Sequence, residues 1–182
     1  EIKNQFHDNH ILLLYTTEPY SLITTRKQVK SLEDLRGLKI RTTGGPPTDQ
    51  MKAFGGIPMS IPMPDVYLAL KQGVIDGMGV SWEAVHSFRL YEVVDYYTQT
   101  PFPAVYFSIA INKKKWDSLP DDVKKAIESV SGVTGARLWG KRYDMAKEGV
   151  YELARKDGKN ISSVSLSADE MNRWLKTGGK PL

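Results

Sequence analysis

Apolar and polar positions change period several times along the chain, and each change marks an element. Leu13 to Tyr15 and Tyr20 to Thr25 are β-favouring runs separated by Glu18-Pro19, which predicts two strands, since proline cannot donate to a ladder. Ser31 is placed as an N-cap, with Glu33 and Asp34 in a first turn whose positive dipole end favours acids and with Gly37 as the C-terminal stop. Leu38-Lys39-Ile40-Arg41-Thr42 then alternates, with Leu38 and Ile40 on one face and Lys39 and Arg41 on the other, as in a strand with one buried side. The strand ends at Gly44-Gly45-Pro46-Pro47, and a helix opening at Thr48 or Asp49 carries Met51 and Phe54.

Ile57 to Pro62 is extended, and an amphipathic helix from Pro64-Asp65 presents Val66, Tyr67 and Leu70 before stopping at Gly73. Val74-Ile75 is expected as a short buried strand, Asp76-Gly77 as a turn, and Ser81-Trp82-Glu83 as the start of a helix through His86 and Leu90. The apolar segment Ala104 to Ile111 reads as a central strand. Helical periodicity runs from Leu119-Pro120-Asp121-Asp122 to Gly158. At about 1.5 Å per residue this spans roughly 50–60 Å, long enough to bridge two lobes, with a bend expected at Ser131-Gly132 or Gly135. A strand over Ile161 to Leu166 and a capped helix from Ser167, with Glu170 at N3 and Met171 and Trp174 on its apolar side, close the pattern.

Composition narrows the class. The 182 residues contain 41% hydrophobic and 25% charged side chains with a mean hydropathy of −0.37, the profile of a globular rather than a disordered chain. The longest apolar run, Ile11 to Tyr15, is far below the roughly 20 residues of a spanning helix. The chain starts at Glu1 rather than Met, which leaves room for a signal peptide or a longer N-terminal segment already removed. A net charge of +4 is dispersed, and its densest run, Lys113-Lys114-Lys115, lies beside Asp117, Asp121 and Asp122, so no nucleic-acid partner is expected. No cysteine is present, hence no disulfide or thiolate metal site.

Candidate chemistry is sparse. His7 and His10 are three apart, as two metal ligands on a helix would be, but nothing completes a ligand set and surface histidines fit as well; His86 reads as a packing residue. Gly44-Gly45 lacks the Lys-Ser or Lys-Thr of a phosphate loop, and no nucleophile elbow occurs, so neither cofactor, metal nor catalytic residue is expected. Arg41 stands out. It puts a permanently charged fork at the carboxyl end of a strand, where open α/β sheets bind ligands, and a guanidinium can hold a carboxylate with two parallel hydrogen bonds. Spacing alone also fits a surface arginine paired to a nearby acid.

Two blocks add a family resemblance. Ser31-Leu32-Glu33-Asp34-Leu35-Arg36-Gly37-Leu38-Lys39-Ile40-Arg41 resembles the s-x-x-D-L-k-G-l-K-i-R signature of the solute-binding proteins of TRAP transporters, the DctP family. Asp65-Val66-Tyr67-Leu68-Ala69-Leu70-Lys71-Gln72-Gly73-Val74-Ile75-Asp76-Gly77 is similar to that family's E-V-Y-x-A-L-q-x-G-v-v-D-G, and Leu90-Tyr91-Glu92-Val93 and Asn112 with Trp116 agree further. The resemblance implies an α/β fold of the type II periplasmic-binding-protein kind, with two lobes and a long helix spanning both. It implies no enzyme: a periplasmic monomer that captures a small carboxylate and delivers it to TRAP membrane permease subunits. The same lobes could instead present the acid to a receptor as a sensing module, and an enzyme using His7 and His10 ranks last.

On this basis residues 1–18 end the first lobe, 19–104 form the lobe with the ligand arginine, and 105–182 supply a return strand, the spanning helix and C-terminal elements. The family's carboxylate-binding arginine falls on Arg41, and Met63, Val80, Trp82 and Phe102 are placed at the cleft. Where the sialic-acid branch has an asparagine this chain has Val80, where it has an aromatic residue Met63, and where it has a second arginine Ser21. An acid with an apolar or aromatic body is therefore expected. The family places most of its first lobe before Phe6 and continues beyond Lys176, so the chain is expected to be a fragment.

Overall fold

The computed structural model describes residues 6–178. Its strands are β1 (Asn9–Thr16), β2 (Ser21–Thr24), β3 (Lys39–Thr42), β4 (Ile57–Ser60), β5 (Gly77–Val80), β6 (Tyr96–Gln99), β7 (Tyr106–Asn112) and β8 (Ser162–Ser165). Its α-helices are α1 (Pro46–Ala53), α2 (Val66–Lys71), α3 (Trp82–Ser87), α4 (Lys113–Asp117), α5 (Asp121–Ser129), α6 (Gly132–Lys156) and α7 (Ala168–Gly178). The chain divides into two compact units, one of residues 1–18 with 104–144, the other of residues 19–103 with 145–182.

In the first unit β1 and β7 pair antiparallel from Asn9↔Asn112 to Thr16↔Tyr106, with a register shift between Ile11 and Leu13. Tyr15 stacks on its partner Phe107 at 5.5 Å and on Trp139 of α6 at 5.3 Å, which seats the helix on one face of the ribbon. The opposite face leaves Leu14 and Tyr106 exposed. Among the described residues the segment expected as a central strand pairs with β1. The long helix is interrupted. α5 ends at Ser129 and α6 begins at Gly132, whose φ of +56° lies outside the helical region and is open to glycine at little cost. α6 alone, about 37 Å long at the standard rise, carries the chain from one unit into the other.

The second unit holds a six-stranded sheet in the order β4-β3-β5-β2-β6-β8, in which only β2 runs against the rest. Alternation along each strand separates two cores. Ile23, Met78, Val80 and Tyr97 pack with Val66 and Leu70 of α2, Trp82 and Val85 of α3, and Ala146, Val150 and Ala154 of α6. Leu22 and Ile40 face the other way, toward Leu32, Leu35, Met51 and Phe54, Phe102 and the fully buried Trp174 of α7. Ser31 caps its turn as expected, with the Asp34 carboxylate accepting from the Ser31 N–H at 3.1 Å.

Two local expectations are corrected. Val74-Ile75 is no strand; Ile75 fills the core, and the neighbouring Asp76-Gly77, read as a turn, is where β5 enters the sheet. Asp76 stitches that entry: its N–H donates to the Lys39 carbonyl at 2.8 Å, its carboxylate accepts from the Lys39 N–H at 2.8 Å, and its carbonyl accepts from the Thr25 N–H at 2.9 Å. β6 was not anticipated, although Tyr96-Tyr97-Thr98 is a β-favouring run.

Candidate functional site

The two sequence blocks are mostly scaffold. Leu35 and Ile40 of the first, and Val66, Leu70 and Ile75 of the second, are core side chains. Gly77 has a steric reason: a Cβ there would sit 2.3 Å from the Ile23 carbonyl oxygen on the adjacent β2. What remains after packing is accounted for is Arg41.

Arg41 lies on the sheet face opposite Ile40, one residue before the carboxyl end of β3, opposite Met59 on β4 and Met78 on β5. Its Nε donates to the Ile61 carbonyl at 2.9 Å, which fixes the plane of the guanidinium and leaves the two terminal nitrogens to point elsewhere. The residue is half-buried, and burial pushes its pKa below the ordinary arginine value while the Tyr20 phenol opposes that shift. Among the described residues no carboxylate pairs with it; the Ile61 carbonyl is its hydrogen-bond partner. A partly desolvated cation lacking a counter-charge is costly to a fold that gains nothing from it.

Met63 is half-buried against the core on Arg41's side of the sheet, together with Met59 and Ile61. Val80, the last residue of β5, belongs to that core too. Trp82 is on the same side but committed to packing, with its ring 4.2 Å from Tyr97 and 5.3 Å from Tyr151. Phe102 is not brought together with Arg41. It lies in the other core, 6.1 Å from both Phe54 and Trp174, against the opposite face of β5 at Gly79. The histidines take separate partners: His10 stacks on Trp116 at 4.0 Å, and His7 lies 3.1 Å from Asp8.

Sequence reasoning missed three neighbours on this face. Ile61 contributes only a backbone carbonyl, which no side-chain pattern reveals. Tyr97 belongs to the unanticipated β6, and its hydroxyl shares a 2.8 Å hydrogen bond with that of Ser21, both residues being buried. Lys147 of α6 places its ammonium 5.8 Å from the Tyr97 ring and 6.0 Å from the Trp82 ring.

Known proteins give this geometry a context. The chain is 25% identical over 165 residues to the C4-dicarboxylate-binding periplasmic protein DctP of Rhodobacter capsulatus, covering 89% of this chain and 48% of that protein. A TRAP solute-binding protein from a marine metagenome, described as specific for aromatic acid ligands and crystallised with 3-hydroxybenzoate, superposes with a TM-score of 0.85 at 31% identity, covering 97% of this chain and 56% of that one. One from Rhodoferax ferrireducens T118, with copurified benzoate, gives a TM-score of 0.85 at 26% identity and the same coverage. The chain therefore has the α/β fold of TRAP periplasmic solute-binding proteins and spans about half the length of the relatives it matches. The family profile of the bacterial extracellular solute-binding proteins, family 7, matches residues 2–179, and the chain belongs to that family, DctP.

Proposed function

We propose that this chain is the ligand-arginine half of a periplasmic, non-enzymatic binding protein that captures a small organic acid for a TRAP-type membrane permease. The observation that carries this reading is Arg41: a half-buried guanidinium, oriented by Ile61, at the carboxyl end of a sheet and without an acid of its own among the described residues. An incoming carboxylate supplies the missing counter-charge and takes two charge-assisted hydrogen bonds. The apolar surroundings, Met59, Ile61, Met63 and Val80, favour an acid whose body is aromatic or aliphatic over a polyhydroxylated one. Relatives with bound benzoate and 3-hydroxybenzoate point the same way.

The unit of residues 19–103 and 145–182 is read as the lobe that holds the arginine. The other unit is read as the remainder of a lobe completed by further polypeptide, because its ribbon and helices expose Tyr106 at 77%, Val133 at 68% and Leu138 at 60%. The test is native and denaturing mass spectrometry of the full-length protein, followed by titration with benzoate. A small-acid adduct lost on denaturation and displaced by benzoate supports the reading; a protein that binds no carboxylate at millimolar concentration refutes it.

A further inference from the structure

The hydroxyls of Ser21 and Tyr97 raise a hydrogen-bond counting problem. Each has one hydrogen to donate, and the pair makes one bond, at 2.8 Å, in which either oxygen can be the donor. Whichever donates, the other keeps a hydrogen for which no second protein acceptor is found among the described residues. Both residues are more than nine-tenths buried, Ser21 at 4% and Tyr97 at 8% exposure, so bulk water is a poor substitute.

Their position links them to Arg41. Ser21 is the register partner of Val80, at the carboxyl end of β5. Arg41, Met78, Ile23 and Tyr97 form one row across β3, β5, β2 and β6, with Arg41 and Tyr97 on the same face. Tyr97 reaches from that row to the Ser21 hydroxyl. β2 lies two inter-strand steps from β3, about 10 Å at the usual spacing, a span that a ring-sized acid hydrogen-bonded at both ends covers. The Lys147 ammonium over the Tyr97 and Trp82 rings makes the flank electropositive and favours an oxygen acceptor there.

We propose that the Ser21–Tyr97 hydroxyl pair is a second polar subsite, which reads a hydroxyl substituent on the body of the acid that Arg41 holds. A hydroxyl suits it because it accepts the spare hydrogen and can donate in return. The inference rests on the carboxylate reading above and deepens it from an apolar acid to a hydroxylated one, with discrimination set by the hydroxyl pair.

The experiment is calorimetric titration of the full-length protein with benzoate and with 2-, 3- and 4-hydroxybenzoate, in the wild type and in Arg41→Ala, Tyr97→Phe, Ser21→Ala and the double hydroxyl variant. Tyr97→Phe keeps the ring stacked on Trp82, and circular dichroism checks that each variant is folded. One hydroxybenzoate isomer is expected to bind about threefold to tenfold tighter than benzoate. That preference, taken as the ratio of hydroxybenzoate to benzoate affinity within each protein, should fall below twofold in the double variant. A wild type that does not discriminate, or a preference that survives removal of both hydroxyls, overturns the subsite and leaves the Arg41 reading standing. Failure of every acid to bind, or binding that Arg41→Ala leaves intact, overturns the carboxylate reading and the subsite with it.

Discussion

Replacing Arg41 separates ligand affinity from fold stability. Among the described residues the guanidinium makes one hydrogen bond, Nε to the Ile61 carbonyl, worth about 1 kcal/mol net. Against this stands the cost of holding a half-buried charge without a counter-ion, of similar size and opposite sign. Arg41→Met keeps most of the apolar stem and removes both terms, so stability should change by no more than about 1 kcal/mol. Binding loses far more. Two charge-assisted hydrogen bonds to a carboxylate contribute about 1.5–3 kcal/mol each, and half-exposure puts this pair toward the lower end, for a total of about 3–4 kcal/mol. That corresponds to a roughly 100-fold to 1000-fold rise in Kd. Arg41→Lys keeps the charge but not the fork or the Ile61 anchor and should fall between, at about tenfold to 100-fold. Denaturant melts and calorimetric titration of the full-length protein with benzoate measure both quantities. A variant that loses stability and affinity together would show that Arg41 is a structural residue; affinity within threefold of wild type would show that the carboxylate sits elsewhere.

Two glycines bracket the packing argument. Gly77→Ala sets a Cβ 2.3 Å from the Ile23 carbonyl and must move β2, so a loss of about 1–3 kcal/mol is expected in urea unfolding, whereas Gly149→Ala in α6 meets nothing within 4 Å and should gain about 0.5–1 kcal/mol. Acid sensitivity follows from Glu33, whose carboxylate the Arg173 guanidinium bonds and holds at about 2, below its ordinary 4.5. A depressed folded pKa gives stability that is present above pH 4.5 and is lost as pH falls toward 2, so Glu33→Gln should flatten the decline in urea midpoint over that interval. A decline of unchanged steepness would place the acid sensitivity elsewhere, with Asp34 the next carboxylate to replace: burial alone would raise its pKa, but the Lys30 N–H and Ser31 hydroxyl outweigh that and lower it.

Much of the fold is legible in the sequence because its signals are local. The Ser31 cap, the alternation that buries Ile40 and turns Arg41 to the other face, the α2 stripe and the helix break at Ser131-Gly132 each depend on a few adjacent residues. What was not legible depends on the partner. Asp76-Gly77 has the composition of a turn, and only the presence of Lys39 on one side and Ile23 and Thr25 on the other makes it a strand entry. That Ala104 to Ile111 takes β1 as its antiparallel partner is likewise set by a segment distant in sequence. The site follows the same rule: Arg41 announces itself through charge and motif, whereas the Ile61 carbonyl that orients it and the Ser21–Tyr97 bond join residues 20 and 76 positions apart.

The sheet explains why the aromatic residues near the site divide as they do. Successive side chains on β5 face opposite cores, so Met78 and Val80 share a side with Arg41, while Gly77 and Gly79, which alternate with them, face β2 and Phe102. Phe102 is thereby drawn toward Phe54 and Trp174, in the core that seats α7. That core is tied down by Arg173, which bonds Glu33 and Glu170, and by the Glu170 carboxylate, which accepts from the Leu32 N–H at 3.2 Å. α7 and the turn that carries the first motif are therefore fixed to each other on the face away from Arg41. The motif's acids secure the scaffold on one side, while its last residue, Arg41, stands on the other with no acid partner among the described residues.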